Sequence, residues 1–209
     1  MEKTNISKRN NRDRGTTLVE IVVSFALLGI FMACAATIIA LISNLYFDVK
    51  RETYAKQVSD IVLEKIASTI EGAKYDKDVA TSNPEISSDY KKITLRDRTD
   101  TKVTIYSQDE EIRFFYAQID DQEDENDRNA TIWRFDEGMY NGFTVKNLYF
   151  VPGDKLGNYS SKVAEYGMNT SGVQYGDDVV VVFLKLSSAQ YGDYYFYRVV
   201  KMYYVPETS

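Results

Sequence analysis

The chain has 209 residues, enough for one domain or one domain with an appendage. Hydrophobic residues make up 44% and charged residues 27%, so a packed core is possible and global disorder is not expected. The net charge of −6 argues against a general phosphate-binding surface, so no nucleic acid is expected as a partner. The absence of histidine excludes His-based acid/base catalysis, Ser-His-Asp and Cys-His nucleophile systems and His-ligated metals. A single cysteine, Cys34, excludes an intramolecular disulfide and a cysteine zinc cluster.

In chain order, residues 1–15 are polar and basic: Lys3, Lys8, Arg9, Arg12 and Arg14 against Glu2 and Asp13. Residues 21–47 then carry no charge, and within residues 21–42 only Ser24, Gly29 and Thr37 fall outside the apolar set. A helix needs about 20 apolar residues to cross the hydrocarbon core, so the segment is long enough to span. It is too long for an ordinary secretory h-region. The excess of basic residues before it, against Lys50, Arg51 and Lys56 after it, predicts the N-terminus inside and the C-terminus outside. Cys34 falls mid-span, as a small apolar residue. Glu20 opens the apolar run, and a charge deep in a membrane helix costs about 2.5–3.5 kcal/mol on insertion scales.

The string Arg14-Gly15-Thr16-Thr17-Leu18-Val19-Glu20-Ile21-Val22-Val23 resembles the N-terminal signature of type IV prepilins and pseudopilins. In that family a basic leader ends in Gly, a membrane peptidase cuts after it, the new N-terminus is methylated, and Glu is the fifth residue of the mature chain. The resemblance covers residues 8–45. It implies cleavage between Gly15 and Thr16, N-methylation of Thr16 and an assembly role for Glu20. It also implies a prepilin peptidase, other pilin or pseudopilin subunits and the cytoplasmic membrane as partners, with the head outside and a filament or the cell surface as destination. Thr16 stands where Phe or Met is common, and no Pro interrupts the apolar run as in many pilins. The free amine left by cleavage would need an anionic partner, and Glu20 of a neighbouring helix could supply it, fixing register.

Past the apolar run, Tyr54, Val58, Val62, Ile66 and Ile70 recur every four residues, with Ile61 read on the same side. Glu52, Lys56, Asp60, Glu64 and Ser68 form the polar companion stripe. The expected helix is residues 16–71, about 84 Å at 1.5 Å per residue, membrane-spanning over about 18–45, with Gly72 as the cap.

Residues 72–209 read as a β-rich head. Strands are expected around Ile93 and Leu95, Val103 and Ile105, Ile112 to Tyr116, and over residues 130–135, 143–151, 178–186 and 194–205. Hairpin turns are expected at Arg98-Thr99-Asp100 and at residues 190–193. The run 179–184 is nearly all apolar and predicts a central strand covered on both faces. The stripe Tyr194, Tyr195, Tyr197, Tyr203, Tyr204 is expected to pack on the sheet with its hydroxyls in water. A ligand-stacking platform is the other reading.

Residues 120–127 hold Asp120, Asp121, Glu123, Asp124, Glu125 and Asp127, an acidic loop without EF-hand spacing, read as solvated rather than metal-binding. Residues 152–177, rich in Gly, Ser, Asn and Tyr, form a connection long enough to carry function or irregular local structure. The sequons at Asn129, Asn158 and Asn169 are read as chance.

No spacing singles out a catalytic site, metal or cofactor, so the expectation is not an enzyme. The expected fold class is α+β: a long N-terminal helix on an antiparallel sheet, pilin-like. The expected function is a minor pilin or pseudopilin, a structural subunit of a type IV pilus or type II secretion-like filament. The late strands loosely resemble the larger minor pseudopilins of type II secretion. The alternatives are a tip adhesin or DNA-uptake pilin, and, third, an enzyme on a signal anchor.

Overall fold

The computed structural model describes residues 17–75, 84–99, 101–117, 131–135, 137–170 and 173–203. The leader 1–15, the acidic residues 120–127, Asp100 and Tyr204 lie outside them. The chain divides into two compact units, Met1–Val49 and Lys50–Ser209. Helix α1, Leu18–Glu71, contributes to both and is 54 residues long. The class is α+β, as the sequence predicts.

The first unit consists, in its described part, of Thr17 and the helix. Thr17 caps it: its Oγ1 accepts the Glu20 backbone N–H at 3.3 Å, satisfying one of the donors orphaned at a helix start. The apolar side chains that follow are exposed, Phe25 at 70% and Phe31 at 67%. The Ser24 hydroxyl donates to the Glu20 carbonyl at 2.8 Å and Thr37 to the Ala33 carbonyl at 2.9 Å, so both hydroxyls are satisfied within the helix itself. The helix is long and apolar enough to cross a membrane. A surface of this kind is stable in lipid or against other apolar helices, not bare in water.

In the second unit α1 buries Ala55, Val58, Ser59, Val62, Leu63, Ile66, Ala67 and Ile70, a stripe at alternating three- and four-residue spacing. The polar companion stripe Glu52, Lys56, Asp60, Glu64, Ser68 is exposed, as expected. Two positions differ from expectation. Ile61 is 47% exposed, and Tyr54 is only partly buried at the margin of the core. A strict four-residue repeat drifts around a 3.6-residue helix, so the stripe is completed by Leu63 and the small residues Ala55, Ser59 and Ala67 rather than by Ile61. Ser59 enters the core with its hydroxyl bonded to the Lys56 carbonyl at 2.8 Å.

Gly72 follows the last helical residue but does not take the left-handed cap conformation expected of it. The chain turns instead into a bridge between Ala73 and Asp97, and Lys74 N–H donates to the Arg96 carbonyl at 2.8 Å. The first sheet thereby holds the helix exit in place of an isolated cap.

That sheet is an antiparallel meander of β1 (Glu85–Ile86), β2 (Lys92–Arg96), β3 (Lys102–Gln108), β4 (Glu111–Ala117) and β5 (Thr131–Arg134), in that order. The β2–β3 turn is where the sequence places it. The Asp97 carboxylate accepts the N–H of Thr99 at 2.8 Å and of Thr101 at 2.9 Å. The β3–β4 hairpin turns at Asp109 and Glu110, both at positive φ (52° and 65°), a two-residue turn that matches strand twist.

The second sheet is β6 (Thr144–Pro152), β7 (Val179–Ser188) and β8 (Gly192–Lys201), antiparallel, with β7 central. Gly192, at φ 83°, supplies the left-handed residue where the chain enters β8. Two backbone bonds tie the sheets together: Phe150 N–H to the Tyr90 carbonyl at 2.7 Å and Val145 N–H to the Glu110 carbonyl at 2.8 Å.

The main core lies between α1 and both sheets. Ile66 and Ile70 of the helix share it with Ile93, Ile105, Phe114, Phe150, Val182 and Leu184. Each such fully buried side chain contributes about 1.5–3 kcal/mol of transfer free energy. The opposite face of the second sheet carries a smaller cluster of Val151, Val179, Val181 and Phe183 under Leu156, Val163, Tyr166 and Met168. Strand β7 is therefore covered on both faces, as its uninterrupted apolar run predicts. The long connection supplies the cover: a 3-10 segment, Gly153–Tyr159, and a short helix α2, Ser160–Glu165. Here Gly153 is required by proximity, since a β carbon on it would lie 2.6 Å from the Gly176 carbonyl oxygen.

Candidate functional site

The sequence-predicted site is the helix N-terminus. Gly15 and Thr16, the predicted cleavage and methylation residues, lie outside the described residues. Glu20 is in the first turn of α1, three residues after the cap Thr17, and is exposed. Thr17-Leu18-Val19-Glu20 is thus also the T-x-x-E pattern of a helix start, with the Thr half of the capping pair formed. A carboxylate there faces the positive end of the helix dipole and stabilises the start by about 0.3–1 kcal/mol.

Beyond Glu20 the described helix offers no charge until Asp48, and Cys34 is exposed among its apolar neighbours. Cys34 lies within the first unit.

In the head, the tyrosine stripe of β8 divides. Tyr194 packs edge-on against Phe143 at 5.8 Å and Tyr195 against Tyr166 at 5.2 Å. Tyr197 and Tyr203 remain 42% and 59% exposed. Tyr197 also contacts the Phe183 ring, at 6.4 Å between centroids, so three of the four described tyrosines pack on the sheet and Tyr203 is the most exposed. Among the described residues no group of three Asp, Glu or Cys could hold a metal ion. The residues 120–127 lie outside that statement.

The outward side of the first sheet carries Lys92, Arg96, Lys102, Arg113 and Arg134 by strand alternation. Arg113 pairs with Asp109 at 2.5 Å and Arg134 with Glu111 at 3.4 Å. A cleft of about 290 Å³ opens on this side, lined among others by Ser87, Asp89, Lys91, Thr104, Tyr106 and Phe115. The Ser87 hydroxyl donates to Asp89 at 2.6 Å and the Lys91 N–H at 3.2 Å, and these bonds hold the Asp89 carboxyl below its usual range. No local pattern marks this cleft, because its lining comes from three strands and a loop that only the meander brings together.

No protein-family model matches the chain, and no curated protein matches it.

Proposed function

We propose that the chain is a pilin-like subunit, a minor pilin or pseudopilin. On this reading it is inserted in the cytoplasmic membrane, processed by a prepilin peptidase between Gly15 and Thr16, N-methylated on Thr16 and assembled through α1 into a type IV pilus or type II secretion-like filament. One observation carries the reading. The prepilin-type string runs directly into a single helix whose first part is apolar and exposed and whose last part is core of a β-rich head.

The geometry of the helix start adds a physical reason for the role of Glu20. Cleavage at Gly15 would leave an ammonium at Thr16, one residue before the cap Thr17. That cation would sit at the positive end of the helix dipole, where it is destabilising unless an anion is near. Glu20 of an adjacent subunit supplies that anion, and a helix out of register leaves both charges unpaired in low dielectric.

The experiment is Glu20→Gln and Glu20→Ala in cells that assemble the filament. Gln keeps a polar partner for the cap and removes only the charge. Both variants are expected to insert and be cleaved normally, yet be nearly absent from purified filaments. Wild-type incorporation of both would refute the role of Glu20 in assembly.

A second reading, a tip adhesin or uptake pilin on the same anchor, rests on the basic side of the first sheet and its cleft. Loss of ligand attachment in Lys91→Glu, with assembly intact, would favour it.

A further inference from the structure

Strand β8 is the outermost strand of the second sheet. It runs ten residues, Gly192–Lys201, in continuous register with β7, with neither a bulge nor a proline. Among the described residues no strand pairs with its far edge. Such an edge is a template for another strand unless charge, proline or a bulge blunts it. Its sequence is moreover matched to itself.

We propose that β8 pairs antiparallel with β8 of a second copy of this chain, about a two-fold axis at Tyr197, joining two three-stranded sheets into one of six strands. This inference concerns the head alone and stands apart from the function proposed above. In this register Asp193 of one copy lies opposite Lys201 of the other, Tyr195 opposite Val199, and Tyr197 opposite its own copy. On the other face Tyr194 lies opposite Val200, and Phe196 opposite Arg198. The first four are opposite-charge, aromatic–β-branched and aromatic–aromatic pairs, the kinds that stabilise adjacent strands, while Arg198 is already paired with Glu64 on α1 at 2.6 Å.

The neighbouring registers that keep each face continuous lose this match. Centring on Arg198 places Arg198 against itself, and centring on Phe196 places Asp193 against Val199. The charges also continue rows that already exist. Asp193 pairs with Lys185 at 2.8 Å and Lys201 with Asp178 at 3.3 Å within one copy. Pairing would give the alternating row Lys185, Asp193, Lys201, Asp178 across the seam. Exposed ion pairs add little energy, so these charges choose the register while backbone bonds and rings hold it. Tyr197 and Val199, 42% and 39% exposed, are the rings and branches that the second copy would cover.

The test uses the full chain in detergent micelles, with Cys34→Ala to remove the native thiol. Tyr197→Cys should form a disulfide-linked dimer under mild oxidation, because residues opposite one another sit about 4.5–5.5 Å apart between Cα atoms. Tyr195→Cys should not, because its two copies would lie about 13 Å apart along the strands. A mixture of Tyr195→Cys with Val199→Cys should cross-link as a mixed dimer. Lys201→Glu, which sets like charges opposite, should lower the Tyr197→Cys dimer yield several-fold, and adding Asp193→Lys should restore it. Circular dichroism checks that each variant keeps its strands. A folded Tyr197→Cys that stays monomeric, or equal cross-linking at 195 and 197, would overturn the proposal. So would an unchanged yield with Lys201→Glu.

Discussion

The ammonium of Lys65, on α1, lies 5.0 Å from the centre of the Trp133 ring on β5 and 5.7 Å from that of Phe114 on β4. Trp133 itself stacks edge-to-face with Phe114 at 5.1 Å and with Phe135 at 4.8 Å. The only tryptophan of the chain is therefore placed where the helix meets the first sheet. Its emission should report helix docking. In urea, the Trp133 emission change and the loss of strand and helix signal from the head should fall on one transition. Lys65→Met should shift the native emission and lower stability by about 0.5–1 kcal/mol, the worth of an exposed cation–π contact. Two separated transitions would mean that the helix detaches before the head unfolds.

Ile61 and Ile66, on the head-packed part of the helix, mark the exposed flank and the buried stripe. Ile66 has no exposed surface, whereas Ile61 is 47% exposed. Ile66→Ala should cost about 2–5 kcal/mol through lost burial and a residual cavity. Ile61→Ala should stay within about 0.5 kcal/mol. Denaturant midpoints of the two variants check this, and equal costs would contradict the helix orientation described here.

Much of that architecture is written in the sequence. Alternation locates the strands from Ile93 to Tyr116, and β7 announces its double burial by a run of valines. The face of the helix is legible only approximately: the four-residue repeat Tyr54, Val58, Val62, Ile66, Ile70 does not say whether Ile61 or Leu63 flanks it, and the buried stripe is finished by Leu63 with the small residues Ala55, Ser59 and Ala67. Strand β1 is two residues long and carries no period. The joining of the two sheets depends on contacts between distant segments, such as the bond from Phe150 N–H to the Tyr90 carbonyl, which no local pattern encodes. Residues 153–168 pack as cover although their composition reads as loop, because Leu156, Val163, Tyr166 and Met168 are too widely spaced to show a period. At the candidate site, the Thr-x-x-Glu spacing places Glu20 in the first helical turn and marks Thr17 as its cap.

The buried phenols give the head a pH dependence. Burial pushes Tyr140 above the ordinary value near 10, although its oxygen accepts the Ile112 N–H at 3.0 Å. Burial, with the Glu165 charge beside it, pushes Tyr166 up further. The unfolded chain ionises these groups first. Their contribution is thus fully present below about pH 10 and is lost as pH rises from there toward the folded values. Urea midpoints should be level from pH 7 to 9 and fall above about pH 10. Tyr140→Phe should lower stability at pH 7 by about 1–3 kcal/mol, since Ile112 N–H loses its acceptor, and should make the alkaline loss shallower. An alkaline loss as steep as wild type would contradict this.

The intact mass of the full chain, extracted from membranes of cells with and without an active prepilin peptidase, tests the central claim most directly. The segment 1–15 carries five basic and two acidic side chains, a net +3, so its removal takes the chain from −6 to −9. With the peptidase, the account predicts a species lacking 15 residues and carrying one methyl group on Thr16, and without it the uncleaved chain. A chain that keeps Met1 to Gly15 in the presence of the active peptidase would contradict it.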